Sequence, residues 1–578
     1  MKSLRVGLAQ INSTVGDIDG NVAKVLDYVR RARAAGADIV SFPELAVTGY
    51  PPEDLLLRPA FVQDNLDALG QIVAGCRDIT AIVGFVDRDE AGMYNAAAVI
   101  HKGGLADVYR KQRLPNYGVF DELRYFQPDT ENPVYTISGV GVGVNICEDI
   151  WYPGHPTEAQ AIAGAQVIVN INGSPYHAGK RHSREEMLSG RASDYGVWIC
   201  YTNMVGGQDE LVFDGGSMVL DADGVLTARA AMFEEELLVA DLTVEDEPRY
   251  GTRPGDGIGL NPPERGSRKI ILSKRSTCAT KTPVEPRVAP EPSLEAEVYA
   301  ALVLGTRDYL HKTGFSKALV ALSGGIDSSI VAAIAVDALG PENVIGISMP
   351  SRYSSEGSIQ DAKELAGNLG IELVIIPIEP AHQAMLDMIE PVFAAMGHPE
   401  AGTAEENIQA RIRGNVIMAF SNKLGYIVLT TGNKSEYATG YATLYGDMSG
   451  GYAVIKDVPK TLVYRLSRYR NTVGPKAVIP ESCITKPPSA ELKPGQMDQD
   501  TLPPYEVLDP IIEAYVEDNL SVDDIVAQGF ERATVEKVVR MINGSEYKRR
   551  QAAPGIKITP RAFGRDWRPP IANQYKGL

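Results

Sequence analysis

The chain has 578 residues, more than a single hydrophobic core organises, so it divides into several folding units. Hydrophobic residues make up 44% and charged residues 22%, which excludes a disordered or fibrous chain, and no stretch is long and apolar enough for a spanning helix. The formal net charge of −18 argues against a broad nucleic-acid surface, while leaving room for a locally basic pocket.

The N-terminus runs straight into a strand pattern without a secretory signal. The five cysteines (Cys76, Cys147, Cys200, Cys278 and Cys483) are odd in number and far apart, which fits a reducing cytoplasm better than a disulfide framework. The histidines show no ligand spacing and no CxxC pair occurs, so zinc is not expected.

In chain order, apolar runs at 4–10, 38–42, 81–86, 141–146, 167–171 and 197–202 read as strands. Helical periodicity lies between them at 21–35, where Val22, Val25, Leu26 and Val29 share a face, and helices are also expected at 157–163 and 180–194. Segments 95–104 and 217–226 have the look of hairpins, the second turning at Asp223-Gly224. Residues 1–255 are thus expected to form a layered α/β domain with mixed sheets. The proline-rich stretch 282–292, TPVEPRVAPEP, closes an expected extended linker over 256–292. Residues 293–578 then form the second domain. Its runs at 317–322, 344–349, 373–376 and 427–430 alternate with helical segments, which predicts a doubly wound parallel sheet with ligands beyond the strands' carboxyl ends. Ser521 and Thr534 stand where helix N-caps are expected.

The strand ending at Leu322 runs into Ser323-Gly324-Gly325-Ile326-Asp327-Ser328-Ser329 and then a helical segment. Two glycines permit close backbone approach to an anion, the hydroxyls donate, and the helix N-terminus adds positive dipole. Asp327 would repel phosphate unless a divalent cation such as Mg2+ lay between them. The loop is not GxxxxGK[ST], the usual mark of γ-phosphoryl transfer.

SGGIDSS resembles the pyrophosphate loop of ATP pyrophosphatases. EENIQARIR at 405–413, TTGNKSE at 430–436, YGD at 445–447 and Lys460-Thr461 extend the resemblance to the NAD+ synthetase family over most of 300–578. That resemblance implies ATP contacts from Leu322 through Ser329 and from Thr431, with Lys460 neutralising the triphosphate. Arg411 and Arg413 would line the nucleotide site. It assigns metal carboxylates to Asp327 and Glu436, and deamido-NAD+ contacts to Asn407, Glu436, Asp447 and Lys548. The same resemblance implies that Ser489, in PPSAEL, falls in a substrate-contacting loop.

In the first half, the run 141–146 ends in Cys147-Glu148-Asp149, a strand-end thiol that a neighbouring base could activate. Phe42-Pro43-Glu44-Leu45 sets a carboxylate after another strand, and residues 109–115, YRKQRLP, carry Lys111. These segments, with YPPE at 50–53 and NGSPY at 172–176, resemble the nitrilase/amidase superfamily over about 1–250, which implies an α-β-β-α sandwich. The resemblance makes Glu44 the general base, Cys147 the nucleophile and Lys111 the oxyanion partner. Glu122 becomes a second acid, and Tyr117, Ser174 and Lys180 become glutamine contacts. Gly141-Val142-Gly143 lacks a third glycine inside a strand and is no dinucleotide fingerprint.

Side by side, the two resemblances imply an ATP-consuming ligase that amidates deamido-NAD+ with ammonia from glutamine. They further imply Mg2+, a homo-oligomer, a cytoplasmic location, and no nucleic-acid or membrane partner. Another glutamine-dependent adenylating amidotransferase, or a non-catalytic nucleotide-binding protein, remains an alternative at this point.

Overall fold

The computed structural model describes residues 1–250, 267–274, 282–400 and 402–575; Cys278 and part of the expected linker lie outside the described residues. The chain folds into two compact units, Met1–Gln208 with Val212–Glu291, and Asp209–Leu211 with Pro292–Leu578.

In the first unit the strands are β1 (Lys2–Gln10), β2 (Ile39–Ser41), β3 (Thr80–Arg88), β4 (Met93–His101), β5 (Gly104–Arg110), β6 (Val134–Ile137), β7 (Val140–Ile146), β8 (Val167–Asn172) and β9 (Trp198–Asn203). They continue with β10 (Val205–Gln208), β11 (Leu211–Asp214), β12 (Met218–Leu220), β13 (Leu226–Arg229), β14 (Glu236–Val244) and β15 (Lys269–Ile271). One sheet runs β14-β1-β2-β3-β4-β5, the other β13-β12-β9-β8-β7-β6-β15, and β10 pairs with β11 in a separate ribbon.

Side chains alternate across each sheet. Leu4, Val6 and Leu8 of β1 meet Val142, Val144 and Ile146 of β7 and Val167, Val169 and Ile171 of β8 in the core between the sheets. On the first sheet's other face, helices Ile18–Ala34 and Pro59–Gly75 bring Val22, Val25, Val29, Leu69 and Ile72 onto Val40, Ala81 and Val83. Leu188 and Ala192 of helix Lys180–Tyr195 cover Ile168 and Ile199 of the second sheet. This is the α-β-β-α sandwich. Each buried Val or Leu contributes roughly 1.5–3 kcal/mol, so a one-residue slip of a strand would be costly. The glycines of Gly141-Val142-Gly143 serve packing: a Cβ at Gly143 would lie 2.7 Å from Gln160 Oε1.

The described part of the expected extended linker is held against the first unit. Within 256–292, β15 pairs in parallel with β6. Further along, Arg5 Nη2 donates to Thr282 O (2.6 Å), Val284 N to Asp241 Oδ2 (2.9 Å) and Ala289 N to Arg229 O (3.0 Å). Extended backbone keeps usable N–H and C=O groups between its prolines, and partners in the first unit take them up.

In the second unit β16 (Ala318–Ala321), β17 (Val344–Ser348), β18 (Glu372–Ile375), β19 (Ile427–Thr430) and β20 (Tyr452–Ala453) form an all-parallel sheet in the order β18-β17-β16-β19-β20. Leu319 packs towards helices Glu379–Ala395 and Thr403–Leu424 through Leu386, Ile408 and Ile412. Its neighbours Ala318 and Val320, which the period-two geometry turns to the opposite face, are equally buried. The chain winds outward from β16 to β18, then returns to β19 on the other side of β16. That reversal opens a crevice at the carboxyl ends of β16 and β19. Towards the C-terminus, Ser521 caps helix Val522–Ala527 by accepting from Asp524 N, as expected. Thr534, however, lies inside the first turn of helix Arg532–Gly544, whose N-cap is Glu531.

Candidate active sites

β3 runs parallel to β2, and two antiparallel steps through β4 return β5 to the same direction. Glu44 and Lys111 therefore leave the first sheet at the same edge. Cys147 follows β7 and Ser174 follows β8, parallel neighbours in the second sheet. Lys111 Nζ donates to Glu44 Oε1 and to Glu122 Oε1, both at 2.7 Å, and all three side chains are buried. Asn95, which has no motif of its own, donates through Nδ2 to Glu44 Oε1 at 2.7 Å and to Glu122 Oε2 at 3.5 Å. Gly173 N donates to Glu44 Oε2 at 2.8 Å. Both oxygens of the expected base are thus held by donors.

Burial, then the Glu44 charge, pushes the Cys147 thiol well above its ordinary range, with Lys111 opposing. Cys147 therefore rests as a neutral thiol, and any reaction through its thiolate needs a base to take the proton. Burial alone would pull the Lys111 ammonium down, but Glu122 and Glu44 reverse this and hold it well above normal. Burial, followed by the opposing pull of Lys111 and the repulsion of Glu44, leaves Glu122 raised to about 7.

Of the expected glutamine contacts, Tyr117 is exposed, and its hydroxyl donates to Glu148 Oε1 at 2.9 Å. Ser174 is buried; its N donates to Asn203 Oδ1 at 3.0 Å and its Oγ accepts from Arg184 Nη2 at 3.4 Å. Arg184 in turn pairs with Asp214 at 2.9 Å. Lys180 opens helix Lys180–Tyr195, donates to Pro175 O at 2.7 Å and lies 5.8 Å from the Trp151 ring.

In the second unit a cavity of about 280 Å³ opens at the β16/β19 crevice. Leu322, Ser323, Gly325, Ile326, Asp327 and Ser328 line it, with Thr431, Glu436, Asp447, Lys460 and Ser489. The loop braces itself: Ser323 Oγ accepts from Gly325 N at 3.2 Å, and Ser328 and Ser329 donate to Gly325 O at 3.0 and 2.8 Å. Gly324 has φ +77°, and a Cβ there would lie 2.2 Å from Ser358 O. The first turn of helix Ile326–Leu339 brings Ile326, Asp327 and Ser328 to the cavity, and a helix N-terminus favours an anion.

The Lys460 ammonium rests on Asp327 Oδ2 and lies 3.9 Å from Glu436 Oε1. Burial would lower it, but Asp327 and then Glu436 raise it, so it stays charged. Burial, then the Asp327 charge, raises Glu436 well above its ordinary value. Asp327 and Glu436 thus present hard oxygen donors whose mutual repulsion a divalent cation would relieve, and this donor set suits Mg2+ completed by phosphate oxygens.

The remaining expected contacts divide. Asp447, raised to about 6 by burial, lines the cavity. Asn407 and Lys548 do not line it. They hold the 440–447 loop, Asn407 Oδ1 accepting from Thr443 Oγ1 (2.7 Å) and Lys548 Nζ donating to Gly440 O (2.7 Å) and Ala442 O (2.9 Å). Arg411 is exposed and donates to Leu444 O, whereas Arg413 lines the cavity. The two sit about 200° apart around helix Thr403–Leu424, and of the pair it is Arg413 that reaches the cavity.

Fold and sites together define a thiol amidase joined to an ATP-pyrophosphatase-type synthetase, the class of glutamine-dependent amide-forming ligases. Residues 5–250 match the carbon-nitrogen hydrolase family and residues 298–552 the NAD synthase family. The chain is 51% identical to the glutamine-dependent NAD(+) synthetase of Thermotoga maritima over 100% of both chains. It is 48% identical to that of Aquifex aeolicus over 99% of this chain and 100% of the other. A solved structure of glutamine-dependent NAD+ synthetase from Acinetobacter baumannii in complex with ADP is similar at TM-score 0.75 and 40% identity, with 99% of each chain covered. The chain belongs to the glutamine-dependent NAD(+) synthetase family.

Proposed function

We propose that the chain converts deamido-NAD+ to NAD+ with ATP, taking its nitrogen from glutamine. In the first unit Glu44 removes the Cys147 proton, and the thiolate attacks the γ-carboxamide carbon. Lys111 faces the oxyanion that develops. The tetrahedral species collapses with the proton passed to nitrogen, so that ammonia leaves. Water then attacks the γ-glutamyl thioester, with Glu44 as base, and frees glutamate and the thiol.

In the second unit the nicotinate carboxylate attacks the α-phosphorus of ATP, pyrophosphate leaves, and ammonia displaces AMP from the acyl-adenylate. The SGGIDSS backbone and Lys460 hold the phosphate charge. Mg2+, held by Asp327 and Glu436, would neutralise phosphate oxygens and sharpen the α-phosphorus as an electrophile.

The observation that carries this reading is the buried Glu44–Lys111–Glu122 set beside Cys147, on the same chain as a phosphate-loop cavity. Its test is NAD+ formation by Cys147→Ala with glutamine or with ammonium chloride. Ammonium should support synthesis while glutamine does not; persisting glutamine-driven synthesis would overturn the role of Cys147.

We also propose a homo-oligomer in the cytoplasm. Met388 and Val392 of helix Glu379–Ala395 and its C-cap Met396 expose 63%, 55% and 68% of their surface, an apolar stripe suited to a second copy. Sedimentation velocity tests this, and a monomer at working concentration rejects it. The described cysteines are all free and buried, as a reducing compartment favours.

A further inference from the structure

One buried carboxylate in the first unit is used neither by the Glu44–Lys111–Cys147 chemistry nor by the expected glutamine contacts. Asp149 is fully buried in the single turn Cys147–Ile150 that follows β7. Its Oδ2 accepts from Ile146 N at 3.0 Å and from the Tyr109 hydroxyl at 2.8 Å. Its Oδ1 accepts from Gln112 N at 3.1 Å and Arg113 N at 2.8 Å. One oxygen therefore holds the residue before Cys147, and the other holds the two residues after Lys111. Tyr109, two residues before Lys111, completes the clasp from β5.

The nucleophile needs such restraint. Cys147 has φ +46°, a left-handed conformation that costs a non-glycine residue about 1–3 kcal/mol and persists only where its surroundings over-determine it. The choice of side chain is equally informative. Four donors converge on Asp149, and an ionised carboxylate can accept from all of them without bringing a hydrogen of its own. An amide would set N–H against N–H on one side. Burial raises Asp149 to about 6, against the lowering effect of these bonds and of the Lys111 charge, so it keeps its charge at neutral pH although that charge costs more here than in water.

We propose that Asp149 is a positioning residue of the amidase, fixing the Cys147 turn against the Lys111 segment so that thiol and ammonium address the same carboxamide. The inference rests on the reading of Cys147 as nucleophile and Lys111 as oxyanion partner.

The experiment uses the full-length protein and measures glutamine-supported and ammonium-supported NAD+ formation, with kcat and KM resolved, for Asp149→Asn, Tyr109→Phe and Cys147→Ala. Displacing a reacting group by about 1 Å costs about 100-fold in rate, so D149N should lose about that much glutamine kcat. Its glutamine KM should stay within about threefold, and its ammonium-supported rate near wild type, because substrate contacts and the synthetase are untouched. Y109F removes one clasp donor and should lose about 3–10-fold in glutamine kcat, the worth of one hydrogen bond.

A D149N enzyme with normal ammonium-supported synthesis and a glutamine kcat within about threefold of wild type overturns the proposal. If D149N loses both activities, Y109F decides: a selective fall in glutamine kcat upholds the proposal, and an unchanged value overturns it. Cys147→Ala separates the underlying reading, since glutamine-driven synthesis in that variant removes the nucleophile itself rather than the clasp.

Discussion

Asn433 Nδ2 donates to Asp327 Oδ1 over 3.0 Å and so ties TTGNKSE to SGGIDSS, which stand 106 residues apart. The same side chain accepts from Glu436 N at 3.0 Å, and Glu436 Oε2 accepts from Asn433 N at 3.2 Å. One asparagine thereby sets both carboxylates proposed to hold the metal. Asn433→Ala removes a helix cap worth about 1 kcal/mol and leaves Asp327 held through Lys460 without its asparagine partner. NAD+ synthesis should fall at least about tenfold with either nitrogen source, a change of about 1.4 kcal/mol in barrier, while glutamate release from glutamine persists. Parallel assays of NAD+ and glutamate check this.

The amidase should carry an acid limb near neutrality. Glu122, raised to about 7 chiefly by burial, protonates as the pH falls through that value and gives up its charge pairing with Lys111. The glutamine-supported rate should drop with it. Glu122→Gln should lower the plateau and remove this limb, leaving any fall to begin closer to about 6, where Asp149 titrates. A pH–rate profile of both enzymes measures the difference; an unmoved limb in the variant assigns it to another group.

Gly324→Ala should disable the phosphate loop. The substitution forces an L-residue to φ +77° and sets its Cβ 2.2 Å from a backbone oxygen, which cannot turn aside as a side chain would. The strain is about 1–3 kcal/mol. ATP-dependent pyrophosphate release should fall by about 100-fold, because the loop's N–H groups no longer meet the phosphates in register. Pyrophosphate release and thermal melting together distinguish loss of the loop from loss of the fold.

The two arginines of EENIQARIR should separate. Arg413 lines the cavity and donates through Nε to Met349 O at 2.9 Å, whereas Arg411 lies on the exposed side of its helix. Arg413→Met should raise KM for a nucleotide substrate by about 10-fold, the worth of one charge-assisted hydrogen bond, and Arg411→Met should leave it within about twofold. Steady-state kinetics with ATP and deamido-NAD+ varied in turn provide the check.

These contrasts mark how far the sequence can be read. Glu44 and Cys147 can be singled out because each follows an apolar strand within a distinctive short segment, Lys111 because it sits in YRKQRLP, and the SGGIDSS loop because strand, glycines and helix are contiguous. The roles of Asn95, Asp149 and Asn433 are not legible in this way. They are short polar residues inside strands, turns and caps, and their partners lie 51, 37 and 106 residues away, so their roles exist only once the strands pair. Arg411 and Arg413 cannot be told apart without knowing which helix face meets β19. The proline-rich segment has the same limit: proline content reports extended backbone but not what that backbone leans on.

That last feature bears on how the two halves can be taken apart. Excision after residue 255, where the composition changes, would strip β15 from β6 and leave Val134–Ile137 as a bare sheet margin, prone to pair with strangers. It would also remove Glu291, which shares Arg181 and Arg229, and Thr282 O, which takes one Arg5 donor. An amidase fragment carried through to Glu291 keeps its own edge and its arginine partners. The described residues between the halves, 267–274 and 282–291, belong structurally to the first of them.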